Sequence, residues 1–94
     1  MISRKATIPY PEGLHIRPAS QLAKTAQEYA SSILLVSRGR QINVKSMLAL
    51  LGACIQHGDE VEFIFEGEDE EQAMEAILAL LKTTPGYLKL KEDE

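Results

Sequence analysis

Residues 13–30, GLHIRPASQLAKTAQEYA, decide the fold because the spacing of apolar side chains changes there from that of a strand to that of a helix. Pro18 fits only the first turn of a helix, where its missing backbone N–H costs nothing, and it restricts the backbone of Arg17. We therefore expect a helix that begins between Ile16 and Pro18, with His15 at or just before its N-terminus. Apolar residues at intervals of three and four predict an amphipathic helix of about three turns: Ala19, Leu22, Ala23, Ala26 and Ala30.

The segments on either side of this helix have the pattern of short β-strands, with apolar side chains on alternate residues or in brief apolar runs. The predicted strands are residues 2–8, 32–37, 40–44 and 60–66, the last with Val61, Phe63 and Phe65 on one face. Prolines and a glycine between residues 9 and 13 predict an irregular loop before the helix. Arg38 and Gly39 have the residue types of a tight turn, so the second and third strands form a hairpin.

Two further helices follow from capping residues and apolar spacing. Ser46 is a natural N-cap for a short helix that ends near Gly52, and Asp69 with Gln72 resembles a capping pair for a final helix. The final helix carries an apolar stripe of Ala73, Met74, Ile77, Leu80 and Leu81. The order β-α-β-β-α-β-α predicts an α+β domain in which helices cover one face of a four-stranded sheet. The pattern does not determine the strand order.

Composition limits the class of protein. A chain of 94 residues with 45% hydrophobic and 26% charged residues fits one small globular domain, which excludes a large multidomain enzyme. We expect a domain at residues 1–84 and a flexible tail at 85–94. Cys54 is the single cysteine and cannot form an internal disulfide, so we expect a reducing, cytoplasmic compartment and a Cys54 packed as a small apolar residue. No apolar run is long enough to span a membrane, and no signal peptide is evident.

Charge is distributed unevenly along the chain. Residues 1–45 contain seven basic and two acidic residues, a net charge of +5, whereas residues 46–94 contain three basic and twelve acidic residues, a net charge of −9. The basic residues are spread out and lack interleaved aromatic residues, so nucleic-acid binding is not expected. A local positive face that meets a phosphorylated or acidic partner fits this distribution better.

The segment around His15 is the strongest candidate for chemistry. An imidazole at a helix N-terminus lies beside unpaired backbone N–H groups and the positive end of the helix dipole, which together favour an anion. Arg17 adds a fork of donors suited to phosphate oxygens, and a neutral histidine there can attack a phosphoryl group. The alternative is an exposed loop histidine beside a helix that begins with proline. His57 lacks partner ligands at metal spacing and is expected to be an ordinary surface residue.

Three motifs resemble the HPr family, the histidine-containing phosphocarriers of the sugar phosphotransferase system. They are Gly13-Leu14-His15-Ile16-Arg17-Pro18-Ala19, Lys45-Ser46-Met47-Leu48 and Glu66-Gly67-Glu68-Asp69-Glu70-Glu71. The resemblance covers about residues 1–82, and the first motif is the specific one. It implies an open-faced β-sandwich with a four-stranded antiparallel sheet and three helices on one face.

The resemblance implies a phosphoryl relay. Phospho-enzyme I would transfer its phosphoryl group to Nδ1 of His15, and the phosphohistidine would donate it to the A domain of a sugar-specific enzyme II. Arg17 and the backbone N–H groups of Ile16 and Arg17 would stabilise the phosphoryl group. By position, the partners would dock on Ser20, Gln21, Lys24, Met47, Leu48, Leu51 and Gln56. The other reading of the short helix places all its apolar residues in the core.

Ser46 has two roles open to it. It can act only as a helix cap, or, as in some relatives, it can be phosphorylated by a dedicated kinase that thereby recruits a transcriptional regulator. Besides the carrier, two alternatives remain: a regulatory paralogue, such as one of the nitrogen-related branch, and a partner-binding module without turnover. We expect a monomer that is a carrier rather than an enzyme and has no metal or cofactor. Glu12 is a departure from the common family pattern, because it puts a carboxylate three residues before His15.

Overall fold

The computed structural model describes residues 1–82, which form a four-stranded antiparallel sheet covered on one face by three helices. The elements are β1 (Ile2–Thr7), α1 (Ile16–Gln27), β2 (Ser32–Ser37), β3 (Arg40–Asn43), α2 (Met47–Gly52), β4 (Glu60–Glu66) and α3 (Glu70–Lys82). The predicted α+β open-faced sandwich and its element order are therefore confirmed. The end of the expected domain and the tail at 85–94 lie outside the described residues.

The sheet has the strand order β1-β4-β2-β3, which places β4 and β2 at its centre. Phe63 lies opposite Arg4 on one side and Leu35 on the other, and Phe65 lies opposite Ile2 and Ile33. Alternate residues of β2 and β4 are buried, as a sheet with one covered face requires. The two phenylalanine rings have centroids 6.3 Å apart and are fully buried under the helices.

Helix α1 begins where the sequence predicts, and its apolar stripe is buried from Pro18 to Ala26. The inclusion of Ala30 in that stripe is wrong, because the helix ends at Gln27 and Ala30 is exposed in the turn before β2. The N–H of Ala30 donates to the Asp69 carboxylate at 2.9 Å. The helix therefore ends before its apolar spacing does, and Ala30 contacts a distant part of the chain instead.

The hairpin between β2 and β3 is confirmed with the expected turn. Arg38 has φ +52° and Gly39 has φ +78°, so both residues adopt the left-handed conformation of a two-residue hairpin turn. Strand β3 ends at Asn43, but the N–H of the buried Val44 still donates to the carbonyl of Ile33 at 3.0 Å.

Two local expectations are wrong. Cys54 is exposed rather than packed, because it follows the C-cap Ala53 with φ +54° and occupies the left-handed position that reverses the chain after α2. Asp69 precedes α3 as expected, but its carboxylate bonds to Ala30 and Ser31 and not to Gln72. Instead, Glu70 accepts the Gly67 N–H at 3.1 Å.

No helix within residues 1–82 is both long and apolar enough to cross a membrane.

Candidate functional site

The loop before His15 is held by the connection between α2 and β4. The N–H of Ile8 donates to the Asp59 carbonyl, and the N–H of Gly58 donates to the Ile8 carbonyl, each at 2.9 Å. Closer to the candidate site, the N–H of Leu14 donates to the Ile55 carbonyl at 2.9 Å. The backbone that carries His15 is thus fixed by long-range hydrogen bonds although the loop is irregular.

Gly13 packs closely behind the candidate site, a role that its place in the loop and in the first motif did not reveal. It has φ +76°, and a Cβ atom placed on it would lie 2.7 Å from the carbonyl oxygen of Ile55 and 3.3 Å from Cα of Gln56. Glycine is therefore required by both the backbone angle and the close approach. The signal in the sequence was a glycine two residues before the candidate histidine at a helix start.

His15 is the N-cap residue of α1, with an extended backbone at φ −85° and ψ −168°. Its carbonyl accepts the N–H of Ala19 at 3.0 Å, and its side chain is 45% exposed. The imidazole does not cap the helix. Because Pro18 has no N–H, the amides of Ile16 and Arg17 are the free donors at this terminus, and neither has a hydrogen-bond partner among residues 1–82.

Two side chains of opposite charge accompany His15. Arg17 is the second residue of α1 and is exposed, so its guanidinium is accessible to an incoming anion. The Glu12 carboxylate Oε2 lies 3.7 Å from Nε2 of His15. The first turn of α1 contains no acidic residue. The field at the helix terminus is thus positive, and Glu12 lies on the loop side of the imidazole.

This arrangement can bind and carry a phosphoryl group. A neutral imidazole has one nitrogen with a lone pair, which is a nucleophile for phosphorus. Two free amides and the helix dipole then lie beside the site where negative charge accumulates.

The predicted docking residues lie on α1, on α2 and in the loop after α2, and α1 and α2 pack against each other. Exposed members of the set are Gln21, Lys24, Met47, Leu48 and Gln56, whereas Ser20 and Leu51 are half-buried. Leu48 is 78% exposed, and Leu50 is the fully buried residue of α2, so the reading that places all the apolar residues of α2 in the core is wrong. Ile16, the residue after His15, is a further exposed apolar side chain at 67%, a feature that sequence reasoning missed.

Ser46 caps α2 as predicted, because its hydroxyl oxygen accepts the N–H of Ala49 at 3.1 Å. Lys45, the residue before Ser46, forms hydrogen bonds with the end of α1 and the residues after it. Lys45 Nζ donates to the Tyr29 carbonyl at 2.8 Å, and Gln27 Nε2 donates to the Lys45 carbonyl at 2.9 Å. His57 is an exposed loop residue.

The comparisons with known proteins agree with this geometry. The model of the PTS-HPr family, described as the PTS HPr component phosphorylation site, matches residues 2–83. A phosphocarrier protein HPr from Lysinibacillus sphaericus is 40% identical over 81 residues, which cover 86% of this chain and 92% of the relative.

Solved structures give the same result. HPr-C-His from Thermoanaerobacter tengcongensis has a TM-score of 0.85 at 30% identity, covering 88% of this chain and 93% of its own. The catabolite repression protein Crh of Bacillus subtilis, solved as a domain-swapped dimer, has a TM-score of 0.71 at 31% identity, covering 89% and 97%. The family match over nearly all of the described residues, together with these relatives, shows that the chain belongs to the HPr family of phosphotransferase-system phosphocarriers.

Proposed function

We propose that the chain accepts a phosphoryl group on His15 from phospho-enzyme I and donates it to the A domain of a sugar-specific enzyme II. The observation that carries this proposal is the position of His15: an exposed imidazole at the N-terminus of α1, beside two free amides and Arg17. Membership of the HPr family supports the same role.

In this proposal Nδ1 of His15 supplies the electron pair. A bond forms between Nδ1 and phosphorus as the bond from phosphorus to the donor breaks, and the reverse exchange passes the group onward. Arg17 and the amides of Ile16 and Arg17 stabilise the phosphoryl oxygens. No base or cofactor is needed from this chain, because the enzymes on either side of the relay perform the catalysis. The chain is therefore a carrier and not an enzyme.

The partners would dock on the exposed faces of α1 and α2 around His15. Met47 is 37% exposed and Leu48 78% exposed, which gives a protein partner apolar area to bury. Lys24 adds a positive charge on α1. Such a surface suits a transient complex with a protein that presents acidic side chains. We place the chain and these partners in the cytoplasm.

The test uses the two histidines of the chain as a matched pair. The parent, His15→Ala and His57→Ala are incubated with phosphoenolpyruvate and enzyme I, and the intact mass is measured before and after acid treatment. We expect one acid-labile phosphoryl group on the parent and on His57→Ala, and none on His15→Ala. Uptake by His15→Ala, or no uptake by the folded parent, would contradict the proposal.

A second candidate is a regulatory paralogue, which the similarity to the Crh protein favours. Such a paralogue would not pass its phosphoryl group to sugar-specific proteins. It would act in the nitrogen-related branch, or it would be phosphorylated on Ser46 by a kinase and then bind a transcriptional regulator. Incubation of the phosphorylated chain with an enzyme II A domain separates the two, because only the carrier loses its phosphoryl group. Size-exclusion chromatography tests the monomer that we propose against a dimer like that of Crh.

A further inference from the structure

Glu12 contacts one of the two ring nitrogens of His15. Glu12 Oε2 lies 3.7 Å from Nε2 of His15, and the Glu12 side chain is 81% exposed. Within residues 1–82 the Glu12 carboxylate has no other ion pair or hydrogen bond. Among residues 1–82, the imidazole is thus the one basic group within 4 Å of the Glu12 carboxylate.

A neutral histidine carries its proton on one ring nitrogen and a lone pair on the other. An ionised carboxylate can only accept, so it attracts an Nε2–H and repels a lone pair at Nε2. The Glu12 carboxylate lies next to Nε2 and not next to Nδ1. Its charge therefore acts first on Nε2, the nitrogen that it contacts, and so on the choice of tautomer.

We infer that Glu12 is a positioning residue that holds neutral His15 in the tautomer with the proton on Nε2 and the lone pair on Nδ1. This inference deepens the proposed function and rests on it for its consequence. With this tautomer, Nδ1 forms its bond to phosphorus while the donor bond breaks, no proton has to leave Nδ1, and Nε2 keeps its proton. The positive charge that the ring gains then lies beside the Glu12 carboxylate.

The chain offers a matched control at the other end of α1. Glu28 is exposed and follows the last residue of α1, so it has the same charge but lies about 18 Å further along the helix. That separation exceeds the Debye length of about 8 Å at physiological ionic strength. Glu28→Gln removes one negative charge without touching the neighbourhood of His15, and His57 serves as an internal reference in every sample.

The experiment is ¹⁵N NMR of the unphosphorylated protein, recorded about two pH units above the ordinary histidine pKa of about 6.5. The ratio of Nε2–H to Nδ1–H tautomers of His15 is measured in the parent, Glu12→Gln and Glu28→Gln. We expect Glu12→Gln to lower this ratio roughly two- to fivefold, the size of an exposed charge contact, and Glu28→Gln and the His57 ratio to stay unchanged.

An unchanged His15 ratio in Glu12→Gln, or an equal change in Glu28→Gln, would overturn the inference. The measurement needs no phosphoryl transfer, so its result is independent of whether the chain is charged by enzyme I. A folded parent that takes up no phosphoryl group would refute the proposed function, whereas an unchanged tautomer ratio in Glu12→Gln would refute the role of Glu12.

Discussion

Replacement of Gly13 by alanine tests whether the packing behind His15 determines the stability of the site. A Cβ atom at this position would lie 2.7 Å from the Ile55 carbonyl oxygen, which is backbone and cannot rotate away. That same oxygen accepts the Leu14 N–H at 2.9 Å. The substitution therefore strains the backbone at φ +76°, creates a steric overlap and disturbs a hydrogen bond.

Each of these effects has a known size. An alanine in the left-handed region costs about 1–2 kcal/mol, an overlap in a packed region about 1–3 kcal/mol, and a lost hydrogen bond about 1 kcal/mol. Gly39→Ala isolates the first effect, because Gly39 has φ +78° and no atom within 4 Å of the added Cβ. We expect Gly13→Ala to lower the free energy of unfolding by about 2–4 kcal/mol more than Gly39→Ala, the sum of the overlap and the lost hydrogen bond.

Urea unfolding of the two variants and the parent measures this difference. In a domain of this size about 1 kcal/mol corresponds to roughly 4–8 °C in Tm, so thermal unfolding provides a second measure. We also expect Gly13→Ala to slow phosphoryl uptake at His15, whereas Gly39→Ala retains the parent rate. Equal losses of stability in the two variants would refute the reasoning, because only the backbone angle is common to both sites.

Two further predictions concern α2 and the start of α3. Leu48→Ala should change the free energy of unfolding by no more than about 0.5 kcal/mol, since Leu48 is exposed, yet weaken binding to enzyme I in a calorimetric titration. Leu50→Ala should cost about 2–5 kcal/mol in urea unfolding because Leu50 is fully buried, and equal costs at both positions would contradict this assignment. The pKa of Asp69 is lowered from its ordinary value of 3.8 by the hydrogen bond from the Ser31 hydroxyl and, next, by that from the Ala30 N–H. The ionised carboxylate therefore stabilises the fold above pH 3.8, and this contribution is lost as the pH falls through the lowered pKa. Asp69→Asn should therefore be less stable than the parent at pH 7 by an amount that shrinks below about pH 4 in unfolding measurements across pH, and a difference independent of pH would argue against this role.

The elements that could be predicted from sequence are those whose causes are local. Pro18 restricts where α1 can begin, and the Arg38-Gly39 pair specifies a turn from its own backbone preferences. Ser46 caps α2 because its hydroxyl needs only the amide three residues later. For the same reason His15 could be placed at a helix terminus from the sequence alone.

The errors arise where a distant segment decides. Asp69 has the right type and position for a local cap, but the amides of Ala30 and Ser31 compete for its carboxylate. Gly13 is a residue type common in loops. No side chain fits at this position because the Ile55 carbonyl lies beside it, which the sequence does not indicate. Cys54 is the exception, because its cause is local: it occupies the left-handed position just after α2, at the surface, although its residue type is typical of a core. None of these contacts has a periodic signal in the sequence.

In the candidate site, the reactive residues are close together in the sequence, whereas the proposed docking residues come from separate helices. Glu12, His15 and Arg17 lie within six consecutive residues, so substitutions among these exposed side chains should alter phosphoryl transfer with little loss of stability. The proposed docking surface also includes α2, which packs on α1 and β3. We expect a substitution that loosens the Gly13–Ile55 contact to displace the imidazole relative to that surface, and therefore to impair transfer between proteins even where every reactive group is retained.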